Sequence, residues 1–92
     1  MKVILEPVSG TAKDNLERAS LEIERVLAFR GSVTGVKAKG TRIIVEFDIN
    51  PKWDLPMSEK VEALKLWIPA KVRTIFKVYN ISLRGNQRRE KQ

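Results

Sequence analysis

Neither cysteine nor histidine occurs among the 92 residues of the chain. Without cysteine there is no disulfide and no thiolate nucleophile. Without histidine there is no imidazole base near its unperturbed pKa, and no Ser-His-Asp or Cys-His triad. The two absences together exclude conventional zinc, haem and iron–sulfur sites. Only the eleven Asp and Glu residues are left as metal ligands, and they favour a hard cation such as Mg²⁺. Aromatic residues are scarce, at 7%. No apolar run approaches the roughly 18 residues of a membrane span. The opening Met1-Lys2-Val3-Ile4-Leu5-Glu6 sets a carboxylate where a signal peptide would continue its apolar stretch. These absences point to a cytoplasmic, non-enzymatic protein that needs no cofactor and no metal.

The length suits one domain, since two halves would each fall below the size that supports a core. What the chain has in quantity is positive charge: 18 Lys and Arg against 11 Asp and Glu, a formal net charge of +7. The excess is uneven. Residues 1–70 carry eleven basic and ten acidic side chains, whereas residues 71–92 carry seven basic ones (Lys71, Arg73, Lys77, Arg84, Arg88, Arg89, Lys91) and the single acid Glu90. Cations clustered in this way suit a polyanionic partner, because each phosphate they neutralise releases condensed counterions. The plainer explanation is a solvated tail that aids solubility.

Hydrophobic periodicity orders the rest. Lys2 to Val8 reads as a short strand ended by Pro7 and Ser9-Gly10. Leu16, Ala19, Ile23, Val26 and Leu27 make one stripe of a helix spanning about Thr11 to Arg30. Thr11 and Asp14 have capping-box spacing, and Gly31 supplies a C-terminal stop. A weaker strand from Ser32 to Lys39 turns at Gly40-Thr41 into the clearest one, Arg42 to Ile49, in which Ile43, Val45, Phe47 and Ile49 alternate with Arg42, Ile44, Glu46 and Asp48. After a loop with two prolines comes a second helix, from about Met57 to Trp67, which Pro69 forces to an end. A last strand runs from Arg73 to Leu83. The expected domain is residues 1–84, followed by a flexible basic tail, 85–92.

The order β-α-β-β-α-β predicts a ferredoxin-like α+β fold, a four-stranded antiparallel sheet with both helices on one face. Val3, Leu5, Val36, Ala38, Ile43, Val45 and Phe47 suit the helix side. The other side is open to a partner, and three readings follow from it. The first is nucleic-acid binding, to DNA or RNA, by Lys37, Lys39, Arg42, Lys71, Lys77, Tyr79, Arg84, Arg88, Arg89 and Lys91. RNA-recognition domains use this topology, and Lys39-Gly40 resembles the Lys-Gly of their third strand. Their aromatic positions fall here on Thr41, Ile43 and Glu46, so only Tyr79 is left to stack, and the contacts would be mainly to phosphates. The alternative is a protein-interaction or homodimerising regulatory module built on an apolar patch of Ile4, Ile44, Ile75 and Tyr79. The third is a Mg²⁺-dependent hydrolase using Glu6, Glu46 and Asp48, acids that more often balance cross-strand cations.

Two tryptophans and the charges of the first helix have plain explanations. Trp53 plugs an edge of the core, and Trp67 anchors the chain reversal near Pro69. Lys13, Arg18, Arg25 and Arg30 interleave with Asp14, Glu17, Glu22 and Glu24, as on a solvated, ion-paired face.

Overall fold

The period-2 stretch of residues 42–49 does what its pattern dictates: Ile43, Val45 and Phe47 lose all solvent contact, while Arg42 and Asp48 stay exposed. It is the third of four strands in the computed structural model, which describes residues 1–82. The elements are β1 (Lys2–Pro7), α1 (Leu16–Leu27), β2 (Gly31–Lys39), β3 (Arg42–Ile49), α2 (Met57–Val72) and β4 (Phe76–Ser82). Short 3₁₀ turns, Lys13–Asn15 and Ala28–Arg30, flank α1. The fold is α+β: a single sheet, in the order β2-β3-β1-β4, with every neighbouring pair antiparallel, and two helices. The proposed boundary at Arg84 and the tail 85–92 lie outside the described residues.

One face of the sheet and both helices share the core. Val3, Leu5, Ile43, Val45, Phe47 and Phe76 meet Ala19, Ile23 and Leu27 of α1 and Leu64, Ile68 and Val72 of α2. Each helix buries one stripe at 3.6-residue spacing, which is where most helical stability in a domain arises. Val36 also packs on this core, whereas Ala38, on the same side at the hairpin end, is exposed. Among the described residues no helix is long and apolar enough to cross a membrane.

Three of the boundaries that differ from the sequence expectation bear on the site. The helix α2 runs through Pro69 to Val72. Proline in a helix interior forfeits a hydrogen bond and crowds the preceding turn, but Ile68 and Val72 on either side of it are fully buried, and that burial holds the last turn together. Secondly, β4 begins at Phe76 instead of Arg73. Thirdly, α1 does not stop at Gly31. Its turn-off is at Ala28, which takes φ +54°, ψ −120° and returns its N–H to the Glu24 carbonyl. Gly31 is the first residue of β2 in extended backbone, and is needed for a different reason: a Cβ there would lie 2.5 Å from the Asp48 carbonyl oxygen.

The start of α1 follows the sequence more closely. The Asp14 N–H donates to Thr11 Oγ1 at 3.1 Å, and the Asn15 amide reaches back to the carbonyls of Ser9 and Thr11 at 3.1 and 2.7 Å. The hairpin between β2 and β3 is a two-residue turn, Gly40-Thr41, between the paired Lys39 and Arg42. Gly40 has φ +65° and Thr41 does not have a positive φ. That combination matches the right-handed twist of the strands and requires glycine in the first central position.

Candidate functional site

Pairing register places side chains on the open face in rows that cross the sheet. At the hairpin end stand Lys39 of β2, its partner Arg42 of β3, and, on the far side, Glu6 of β1 paired with Lys77 of β4. The next row holds Lys37, opposite Ile44, which in turn faces Ile4 of β1. Beyond it Gly35 is opposite Glu46, and Glu46 is opposite Lys2. Ser32 and Asp48 form the last pair. The hairpin end is therefore rich in cations, while Glu46 and Asp48 collect toward the other.

A register shift in β4, between the partners of Ile4 and Leu5, makes room for Tyr79 on this face. Its hydroxyl donates to Glu6 Oε1 at 2.6 Å, and the Arg42 guanidinium lies 4.0 Å from its ring centre. Tyr79 is the chain's single tyrosine and is 45% exposed. The hydrogen bond to Glu6 exists only while the phenol keeps its proton, so it raises the Tyr79 pKa above its ordinary 10.0. Partial loss of solvent and the Glu6 charge act in the same direction, and Arg42 opposes them. A fixed aromatic ring, with a guanidinium laid against it, thus borders the cationic row.

The residues singled out from the sequence divide into three groups. Lys37, Lys39, Arg42, Lys77 and Tyr79 come together on the open face, with Ile4 and Ile44 paired at its centre. Lys71 is on α2, in the helical layer behind the sheet, where it lines a cleft with Arg25, Arg30 and Trp67. Arg84, Arg88, Arg89 and Lys91 lie outside the described residues. Ile75 must be removed from the apolar patch. It falls in the turn before β4, packs against the core, and uses its backbone to receive the Val8 N–H and to donate to the Val72 carbonyl. Nor do the three acids form a cluster. Glu6 and Asp48 are at opposite ends of the face, on the order of 20 Å apart at about 3.3 Å per residue, and among the described residues no three metal-ligating side chains converge.

Two partners went unseen in the sequence. Glu6, read there as a metal ligand, orients Tyr79; the bulge that sets its partner residue leaves no mark in a period-2 pattern. Arg30, read as part of the ion-paired helix face, leaves the helix at the Ala28 turn and lies over both indoles, 4.9 Å from the Trp67 ring centre and 5.7 Å from that of Trp53. The one-turn spacings Asp14–Arg18 and Arg18–Glu22 on the first helix suggest ion pairs, but among the described residues the ion pair that forms is Arg25–Glu22, at 3.3 Å. The chain matches no protein-family model, no curated protein and no solved structure with which it was compared.

Proposed function

We propose that this protein is a non-enzymatic nucleic-acid-binding module, contacting the phosphate backbone through the hairpin end of its open sheet face and through the cationic residues that follow β4. The observation that carries the reading is the cross-strand set Lys37, Lys39, Arg42 and Lys77. Among the described residues none of these four cations is in an ion pair with a carboxylate, which keeps their charge available for phosphate. Tyr79 beside them adds an aromatic surface on which one base can stack, with Arg42 extending it. The strand order β2-β3-β1-β4, with both helices contributing to one core, supports the ferredoxin-like reading of the fold, a topology that leaves such a face open. A cysteine-free chain accords with a cytoplasmic setting. Arg84, Arg88, Arg89 and Lys91 would add to the same electrostatic attraction.

The test is the salt dependence of binding to fluorescent DNA and RNA oligonucleotides. About four phosphate contacts give a log–log slope between about −3 and −4. Lys37→Gln combined with Lys77→Gln should flatten it by about two, and Tyr79→Ala should weaken single strands more than duplexes. No binding at low salt by the full-length protein would end the proposal.

The pairing of Ile4 with Ile44, both half-buried at the centre of the face, favours the second reading, self-association through the sheet. Light scattering separates them: a dimer that Ile44→Lys dissolves, together with absent oligonucleotide binding, would establish association in place of nucleic acid.

A further inference from the structure

On the helical layer, behind the open face, a second group of cations surrounds a cleft. Glu22, Arg25 and Val26 of α1, Trp67 and Lys71 of α2, and Arg30 from the corner between α1 and β2 line a cavity of about 560 Å³. That volume is within the ~300–1,000 Å³ range of small-molecule sites. Three cations face one carboxylate, and the carboxylate is engaged by Arg25 at 3.3 Å. The cleft thus offers a net charge of about +2, against the −1.5 to −2 of a phosphate monoester near neutral pH. Val26 and the Trp67 indole provide an apolar wall beside it.

The corner that delivers Arg30 is built in an uncommon way. Ala28 takes a positive φ, which side-chain-bearing residues seldom adopt, and this turns the chain sharply off α1. Phe29 is thereby thrown out to 90% exposure, while Arg30 is carried over the indoles of Trp53 and Trp67, whose ring centres are 5.8 Å apart. Asn50 fixes the corner from the far side. Its amide donates to the Phe29 carbonyl at 3.1 Å and its backbone N–H to the Arg30 carbonyl at 2.8 Å. Local strain that persists because its surroundings enforce it is concentrated at binding sites. Here it holds a guanidinium whose position is set in advance, as bidentate recognition of phosphate favours.

We propose that this cleft binds a nucleoside phosphate monoester, with the phosphate on the sugar and a planar base beside it, the chemistry shared by a free nucleoside monophosphate and a 5′-phosphorylated strand end. The phosphate is held by Arg30 and Lys71 with help from Arg25, and the ring lies along Val26 and Trp67. The site is separate from the open face and stands or falls independently of the function proposed above.

Isothermal titration of the full-length protein with AMP, adenosine and inorganic phosphate tests it. AMP should bind saturably, and adenosine and phosphate each at least about tenfold more weakly. Loss of one charge-assisted contact is worth about tenfold or more, so Lys71→Gln and Arg30→Gln should each lower AMP affinity by that factor. Lys71 is exposed, and its variant keeps the test valid should Arg30→Gln disturb the corner. Lys37→Gln/Lys77→Gln on the open face should leave AMP binding unchanged even where it abolishes strand binding. An oligonucleotide with a 5′-phosphate that displaces AMP, when its 5′-hydroxyl counterpart does not, would make the strand end the ligand; failure of both to displace it would make the ligand the free nucleotide. Three outcomes would overturn the proposal: no saturable heat with AMP, equal affinity for adenosine and AMP, or AMP affinity that neither Lys71→Gln nor Arg30→Gln changes.

Discussion

Exchanging the residue types at the two ends of the α1–β2 corner should move stability in opposite directions. Ala28 has φ +54°, ψ −120°, a region that costs a residue with a Cβ about 1–3 kcal/mol. Glycine there removes the strain but frees the unfolded chain, a loss of about 0.5–1 kcal/mol. Ala28 is exposed, so little packing is lost, and Ala28→Gly should stabilise the protein by about 1 kcal/mol. At Gly31 the backbone is extended and any residue could adopt it, but a Cβ would be 2.5 Å from the Asp48 carbonyl oxygen. Relief requires β2 and β3 to separate by on the order of 1 Å at this end, and overpacking of that kind costs about 1–3 kcal/mol. Urea unfolding followed by the fluorescence of Trp53 and Trp67 measures both. At about 1 kcal/mol per molar, the midpoint should rise by about 1 M in Ala28→Gly and fall by about 2 M in Gly31→Ala. In heat, the gain should appear as about 4–8 °C. An Ala28→Gly variant that is destabilised like an ordinary helical Ala→Gly, or a neutral Gly31→Ala, would refute the geometry of the corner.

Tyr79, as the single tyrosine, can be titrated alone by its phenolate absorbance. Its midpoint should lie above 10.0; Glu6→Gln should bring it down, and Arg42→Gln should raise it further, following the directions of their effects. Because the folded-state value is raised, the contribution of this group to stability is complete below pH 10 and is lost as the pH climbs through the folded-state pKa. A midpoint that ignores Glu6→Gln would break the contact. Thr11→Ala removes the oxygen that receives the Asp14 N–H and should cost about 1 kcal/mol in the same urea assay; no change would mean that the Asn15 amide holds the helix start unaided.

The parts of the fold that were legible from sequence are those in which one periodic signal dominates. Residues 42–49 alternate, with Ile44 the one apolar residue on the polar side, and the strand has the bounds the alternation implies. The stripe of Ala19, Ile23 and Leu27 places α1, and Thr11 marks its approach. Illegible were the places where a local rule loses to packing. Glycine is the usual helix stop, yet the chain turns off at Ala28, and Gly31 serves instead where β2 passes close to Asp48. For the same reason Arg30, in register with a charged helix face, was hidden as a partner of the tryptophans. The cations of the open face were readable because alternation alone assigns Lys37, Lys39 and Arg42 to it. Glu6 as the partner of Tyr79 depends on an irregularity in β4 that composition does not record.

The misplaced end of α2 reaches furthest into the functional reading. If Pro69 had ended the helix at Trp67, the last strand would have begun near Arg73, and Ile75 would have joined Ile4, Ile44 and Tyr79 in an apolar patch broad enough to invite self-association. Because the burial of Ile68 and Val72 carries the helix past Pro69, the strand starts three residues later and Ile75 closes the core from the turn. The open face is left with two isoleucines as its aliphatic centre and cations at one end. Specific interfaces bury about 800 Å² per partner, so self-association through this pair would have to draw in the polar rows around it as well. The cations lose nothing by the change: Lys77 still pairs with Glu6 across β1 and β4, on the same face as Arg42 and Lys39. One proline that fails to break a helix thus tilts the balance of the surface from apolar contact toward charge, and it makes electrostatic binding the reading to test first.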